Sequence, residues 1–272
     1  MIPPRPRVLL LGAGRMGGAL LDGWLKQTAV QGPPIILEPT PTVGLKSRAN
    51  AGEVRLNPQA GANAPDIAVL AIKPQSFAAG LAALKPFLSP KTVVLSIAAG
   101  KTVASIAAVL GEDRVILRAM PNTPAAIGKG ITALYAPSGL DPVVKDQCTA
   151  LLATTGEVVD IDDESKMDAV TAISGSGPAY IFHVVECLAA AGVAEGLPPE
   201  LAMRLARATI SGSGALLADR TESAATLRTE VTSPGGTTEA ALRVLMGEQA
   251  LSKLFREAVA AAVARGQALA GS

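Results

Sequence analysis

Short runs of β-branched and leucine residues alternate with alanine-rich amphipathic stretches through the first part of the chain. This alternation predicts parallel strands joined by crossover helices. Strands are expected at Val8–Leu11, Ile35–Leu37, Ile67–Ala71, Val93–Ile97, Val115–Arg118 and Ile131–Tyr135. Most of these runs are apolar at every position, the pattern of strands covered by helices on both faces. Helical spacing marks Met16–Gln27, Gln75–Leu84 and Val103–Leu110, with Gly111 placed to end the last of them. Pro142–Ala153 reads as one more helix before a final short strand near Glu157–Asp160.

After about Asp162 the strand-like runs stop. The remainder predicts helices at Ser165–Ala191 with a glycine-rich interruption, Pro199–Ala218, Ala224–Val231, Thr237–Met246 and Gln249–Ala268. Pro198-Pro199 and Ser233-Pro234-Gly235-Gly236 punctuate them as proline and glycine end helices and open loops. The expected architecture is α/β, with a doubly wound parallel sheet over residues 1–162 followed by an all-α domain over 163–272.

Composition narrows the function classes. At 272 residues, 49% apolar and 17% charged, the chain can bury one large core or two moderate ones, which excludes disorder. A net charge of +1 provides no drive toward nucleic acid or an anionic membrane, and 3% aromatic content is too little for stacking single strands. The expected partner is a small molecule. No apolar run is expected to reach the roughly 18–20 residues that span a bilayer, and the N-terminus lacks the pattern of a secretory signal. Cys148 and Cys187 show neither metal spacing nor a C-x-x-C pair, so a reducing, cytoplasmic setting is expected.

Gly12-Ala13-Gly14-Arg15-Met16-Gly17 is G-x-G-x-x-G, set directly after one predicted strand and opening a predicted helix. In that context Gly12 serves the tight turn, Gly14 lets a pyrophosphate approach the backbone, and Gly17 lets helix and strand pack closely. The first domain is therefore expected to be of the Rossmann dinucleotide-binding type. Glu38, about 20 residues past Gly17, sits where an acidic side chain accepts hydrogen bonds from an adenine-ribose diol. Two other arrangements stay open: a solvated Glu38, or a loop turned so that Lys46 and Arg48 take a 2′-phosphate. At the other strand ends, Ala71-Ile72-Lys73-Pro74 and the small residues Ala98 and Ala99 permit close approach of ribose and nicotinamide.

In the helical half, Ser174-Gly175-Ser176-Gly177-Pro178 places glycines inside a helix, each costing about 1 kcal/mol relative to alanine. Such a segment either admits a second backbone or borders a ligand. Ser233-Pro234-Gly235-Gly236-Thr237-Thr238 precedes a predicted helix, whose N–H groups form a natural pocket for a carboxylate. His183, the only histidine, lies in the apolar run Ile181–Val185 and reads as a core residue satisfied by Glu186 rather than a catalytic acid. With one histidine and no C-x-x-C, no catalytic metal is expected.

Six motifs, Gly-Ala-Gly-Arg-Met-Gly17, Ala-Ile-Lys-Pro74, Ser-Ile-Ala-Ala-Gly100, Arg-Ala-Met-Pro-Asn-Thr-Pro124, Ser-Gly-Ser-Gly-Pro-Ala-Tyr180 and Val-Thr-Ser-Pro-Gly-Gly-Thr-Thr238, stand in the order and spacing found in pyrroline-5-carboxylate reductases. The chain resembles that family over nearly its whole length, and the last motif is the most specific. The resemblance implies the final step of proline biosynthesis, hydride transfer from NADPH or NADH to C5 of the cyclic imine 1-pyrroline-5-carboxylate, giving L-proline. It implies that Ser233, Gly235, Gly236, Thr237 and Thr238 hold the substrate carboxylate. Thr238 would donate a proton or hydrogen bond to the ring nitrogen, with solvent as the alternative proton source, and Glu164 would lie near the substrate. Gly12, Ala13, Gly14, Arg15, Met16, Gly17, Glu38, Ala71, Ile72, Lys73, Pro74, Ala98 and Ala99 would hold the dinucleotide.

The resemblance also implies that the helical domain is a dimerisation domain, making a homodimer the minimal unit and a larger ring of dimers an option. One departure bears on the cofactor: members of the family often carry Ser or Thr at the end of the second strand, where this chain has Glu38 followed by proline. Two rivals remain. A β-hydroxyacid dehydrogenase needs a lysine followed four residues later by asparagine after its Gly-rich helix start, and the stretch from Pro178 to Glu186 offers neither. A non-catalytic NAD(P)-binding sensor would not require a substrate loop intact through Thr238.

Overall fold

The computed structural model describes residues 3–61 and 63–270. They group into two compact units, one made of the residues up to Ser176 together with those from Ala262 on, the other of Gly177–Ala261.

The first unit is built on eight strands: β1 (Val8–Leu11), β2 (Ile35–Leu37), β3 (Arg55–Leu56), β4 (Ile67–Leu70), β5 (Val93–Ser96), β6 (Ile116–Met120), β7 (Gly130–Tyr135) and β8 (Gly156–Ile161). Their order in the sheet is β3-β2-β1-β4-β5-β6-β7-β8. The chain leaves β1 toward β2 on one side and returns to β4 on the other, so the strand order reverses between β1 and β4, where such sheets open a crevice beyond the strand ends. The helices are α1 (Arg15–Gln27), α2 (Val43–Asn50), α3 (Phe77–Leu84), α4 (Val103–Leu110), α5 (Pro142–Ala153) and the short α6 (Met167–Val170).

Because side chains alternate along a strand, β1 feeds two cores. Val8 and Leu10 join Leu20, Leu21 and Trp24 of α1 and Leu151 and Leu152 of α5 on one face. Leu9 and Leu11 join Leu81 and Leu84 of α3 and Ile106 of α4 on the other. The Trp24 indole N–H donates to the Leu151 carbonyl at 2.9 Å, which pins α1 to the end of α5.

Three features depart from the sequence reading. The sheet is not wholly parallel, since β6 and β7 pair antiparallel. Only a single-turn helix at Thr123–Ile127 joins them, and a parallel return needs a crossover of a dozen or more residues. Helix α2 and the two-residue β3 were not expected. The helix buries only Leu45, so it has no apolar stripe, and it is started by the Thr42 hydroxyl accepting the Leu45 N–H. The glycine-rich interruption is a π-helical turn at Thr171–Gly175. Against the expectation that no apolar run is long enough to span a bilayer, residues Glu164–Ala194 form one helical stretch long and apolar enough to cross a membrane by length and composition.

The second unit consists of α7 (Gly177–Ala194), α8 (Pro199–Asp219), α9 (Ala224–Glu230), α10 (Thr237–Met246) and the first part of α11 (Ala250–Ala270). Helices α7 and α8 pack closely at Gly192, where an added Cβ would stand 3.3 Å from both Ala202 Cβ and a Leu197 methyl. The packing boundary at Ser176 falls later than the change of texture at 162/163, because Met167 and Ala172 are buried within the first unit.

Candidate active site

The turn from β1 to α1 forms one wall of a cleft of about 810 Å³. Gly12 has φ +91°, and a Cβ there would meet the Ala71 carbonyl at 2.7 Å. A Cβ on Gly17 would collide with the Gly12 carbonyl oxygen. Packing thus requires both glycines. Gly14 differs, because a Cβ on it would meet no atom within 4 Å. Gly14 caps α1 with no side-chain hydrogen bond, and the first turn carries no acidic residue. The first-turn N–H groups and the positive end of the helix therefore have no anion from the helix itself, a cradle that fits a dinucleotide pyrophosphate. Arg15 and Met16 open the helix, Arg15 exposed and Met16 packed on the first core.

Glu38 forms the other wall. Its Oε2 accepts the Ala13 N–H at 2.8 Å and its Oε1 accepts the Thr40 N–H at 3.0 Å, so the carboxylate turns inward onto the glycine loop. Arg48 pairs its guanidinium with Asp22 at 2.6 Å. Ala71, Ile72 and Lys73 line the same cleft, while Pro74 begins the single turn that leads into α3. Ala98 is buried in the second core, and Ala99 is half-buried. Asn57, which no motif pointed to, also lines the cleft and binds the Glu38 backbone through its carboxamide.

A second cavity of about 370 Å³ lies among Gly100, Thr102, Arg118, Asp163, Glu164 and Asp168. Glu164 reaches inward, its Oε1 accepting from Arg118 Nη1 at 2.7 Å and from the Val103 N–H at 2.8 Å. Arg118 is buried, so this pair stands where a lone charge would be costly, and the N-terminus of α4 completes it. The carboxylate thus ties β6 and α4 to the segment after β8. Asn122 ties two further motifs together, accepting the Ile131 N–H and donating to Ser174 Oγ in the π-helical turn. Such turns are frequent at functional sites.

In the second unit, Gly235 has φ +71°, the Gly236 N–H donates back to the Ser233 carbonyl at 3.0 Å, and Gly236 caps α10 with no side-chain hydrogen bond. The Gly235 N–H donates to Glu239 Oε2 at 2.7 Å. The turn thus takes a carboxylate, here one from its own helix. Thr237 is exposed and Thr238 half-buried at the start of α10. His183 is not a core residue: its side chain is 73% exposed, although Glu186 does engage it at 2.9 Å, with Cys187 Sγ 3.6 Å from the other ring nitrogen. The other thiol, Cys148, is buried, which pushes its pKa up to about 12.

Residues 164–269 match the pyrroline-5-carboxylate reductase dimerisation family, and residues 7–100 match the coenzyme F420-dependent NADP oxidoreductase family. A pyrroline-5-carboxylate reductase from Pseudomonas aeruginosa is 39% identical over 271 residues, covering 97% of each chain. A solved pyrroline-5-carboxylate reductase from Coxiella burnetii superposes with a TM-score of 0.88 at 32% identity, over 98% of this chain and 99% of that one. A Plasmodium falciparum pyrroline carboxylate reductase solved with NADP bound gives a TM-score of 0.79 at 27% identity, over 97% and 98%. The chain belongs to the pyrroline-5-carboxylate reductase family.

Within this reductase family match, the oxidoreductase region contains Gly12–Gly17, Glu38, Ala71–Pro74, Ala98 and Ala99, and the dimerisation region contains Glu164 and Ser233–Thr238. Arg118 and Asn122 stand in the Arg-Ala-Met-Pro-Asn-Thr-Pro motif, but their partners are far along the chain. Only the folded structure pairs Arg118 with Glu164 and Asn122 with Ser174.

Proposed function

We propose that this chain reduces 1-pyrroline-5-carboxylate to L-proline with NAD(P)H, the last step of proline biosynthesis. The observation that carries the reading is the turn before α10, whose Gly235 N–H already grips a carboxylate, in a chain whose β1–α1 turn is shaped for a pyrophosphate. One end of the chemistry needs an anion-holding turn for a dinucleotide, the other an anion-holding turn for a ring acid. The reduced nicotinamide, when bound, supplies the hydride. Gly12, Gly14 and Gly17 with the N–H groups of Arg15 and Met16 hold the phosphates, Ala13 joins the loop to the Glu38 carboxylate beside the ribose, and Ala71–Pro74, Ala98 and Ala99 give the floor.

Ser233, Gly235, Gly236 and Thr237 orient the substrate carboxylate, and Thr238 holds or delivers the proton at the ring nitrogen. A protonated imine accepts hydride readily, so positioning carries much of the rate and no metal is required. Glu164, committed through Oε1 to Arg118 and the Val103 N–H, fixes one wall of the smaller cavity and would lie near the substrate. The inward carboxylate of Glu38 favours the 2′-hydroxyl of NADH over the 2′-phosphate of NADPH.

The exposed apolar residues of the second unit suit a homodimer, and rings of dimers are compatible with it. We read the apolar stretch Glu164–Ala194 as part of that subunit contact, since Ser174, Ser176, His183 and Glu186 place polar groups along it. We read the chain as a cytoplasmic enzyme without nucleic-acid or membrane partners. The test supplies purified protein with 1-pyrroline-5-carboxylate and each dinucleotide and follows nicotinamide oxidation and proline formation. Turnover with NADH above NADPH is expected. Folded protein that binds dinucleotide but turns over neither would leave a binding protein instead.

A further inference from the structure

Asn57 stands where the edge strand β3 ends, and its backbone turns away from the sheet at φ +43°. Up to that point β3 pairs with β2 as a parallel neighbour, Leu56 opposite Ile36, and the Asn57 N–H still donates to the Ile36 carbonyl at 2.8 Å. Beyond it the side chain continues the ladder. The Asn57 carboxamide oxygen accepts the Glu38 N–H at 2.9 Å, and its NH2 group donates to the Glu38 carbonyl at 2.8 Å. One planar amide therefore holds both polar groups of the Glu38 backbone. Asparagine is suited to this place twice over. It tolerates the left-handed conformation better than most side chains, and it carries a donor and an acceptor on one carbon, which aspartate does not.

The consequence reaches the cleft. With its backbone fixed, Glu38 sets Oε2 on the Ala13 N–H and Oε1 on the Thr40 N–H, while the Gly12 N–H donates to the Leu37 carbonyl at 2.8 Å. The glycine loop, the end of β2 and the end of β3 form one hydrogen-bonded unit. A glutamate at a loosely held strand end could swing toward water and relieve repulsion against a 2′-phosphate. This one is restrained.

We propose that Asn57 is a positioning residue for dinucleotide choice: by clamping the Glu38 backbone it holds the carboxylate where an adenosine ribose presents its 2′ substituent, so that a hydroxyl is accepted and a phosphate refused. The proposal rests on the NAD(P)H reading above.

Asn57→Gly decides it, because glycine keeps the left-handed turn without strain and removes only the amide. Dissociation constants for NADH and NADPH are measured by calorimetry on the full chain, with kcat and KM for 1-pyrroline-5-carboxylate reduction alongside. Asn57→Gly is expected to raise Kd and KM for NADH about fivefold to tenfold, to keep kcat within about twofold, and to lower the NADH-over-NADPH ratio by a similar factor. In a Glu38→Ser background the same change should move the ratio less than about twofold, since the group it positions is gone. An unchanged ratio in Asn57→Gly, an equal loss for both dinucleotides, or a full effect in the Glu38→Ser background each overturns the proposal. Wild-type protein that binds neither dinucleotide overturns the NAD(P)H reading as well, and is told apart because it appears before any substitution.

Discussion

In the sheet-based unit Trp24, Leu10, Leu70 and Leu95 have no solvent exposure. In the helical unit the only buried apolar residues among those described are Ala189, Ala202, Ala206 and Leu227. Phe182, Leu216, Leu217, Val244, Leu245 and Leu254 meanwhile stand in solvent. Fully burying a leucine-sized side chain is worth about 1.5–3 kcal/mol, and the first unit does so many times over on both faces of its sheet. The second unit collects little more than three alanine methyls and one leucine. Its helices are long and well formed, yet the apolar surface they carry faces outward. The first unit holds its own core, and the second depends on a covering surface, which in this family is the dimerisation partner. The same contrast governs the sites. The cleft at the glycine turn is walled by strand ends locked into a core, whereas the turn that takes the Glu239 carboxylate sits at the head of an exposed helix.

The contrast breaks most directly at Trp24. Trp24→Ala removes a ring packed between α1, α5 and the sheet together with its bond to Leu151. It should cost about 3–5 kcal/mol, read as a large drop in chemical-denaturation midpoint. A loss under about 1 kcal/mol would mean the first unit is not held by this core. The counterpart in the second unit is Phe182→Glu, at a side chain that is 64% exposed in the single chain. It should leave the far-ultraviolet circular dichroism of the protomer unchanged and weaken dimerisation by about 2 kcal/mol or more, seen by sedimentation. An unaltered dimer would place the contact on another face.

A smaller effect is expected at the carboxylate turn. Thr238→Ala should raise KM for the imine or lower kcat by roughly tenfold, about 1.4 kcal/mol, while dinucleotide Kd stays the same. Equal loss of dinucleotide binding would separate Thr238 from the substrate. Glu239→Gln at the neighbouring position weakens the internal ligand of the Gly235 N–H. It should lower KM for the substrate about twofold to threefold, because a neutral amide competes less well for that donor than a carboxylate.

Much of this was legible in the chain itself, for reasons that differ by element. Val8–Leu11 with Gly12, Gly14 and Gly17 announced its own strand, turn and helix, because apolar runs and obligatory glycines are local signals. Helix α2 was illegible, since its one buried residue, Leu45, makes no periodic stripe, although the Thr42 cap was there to be read. The antiparallel β7 could have been inferred from the short connection between Arg118 and Ile131. The inward turn of Glu38 could not, because it depends on Asn57 and Ala13, residues far apart in sequence. His183 was misplaced for an instructive reason. An apolar run on a helix signals burial, but in the second unit such runs face outward, so the rule that served the first unit failed in the second.

The smallest expected effect concerns the entry to β1, where Arg7 holds Asp66 through its guanidinium at 2.7 Å and through its backbone N–H at 2.8 Å. These bonds keep the Asp66 carboxyl below its ordinary value of 3.8. A carboxyl whose pKa is lower folded than unfolded contributes stability above the unfolded value and loses it as pH falls through the folded one. Both side chains are over 40% exposed, so the contribution is at most about 1 kcal/mol and is screened by salt. Asp66→Asn should therefore lower unfolding free energy slightly near about pH 7. The gap to wild type should close in strong acid, where the wild-type carboxyl is protonated as well. A gap that stays constant into acid would show the contact to be neutral hydrogen bonding. A gap of several kcal/mol would show that the first unit leans on its rim as well as on its core.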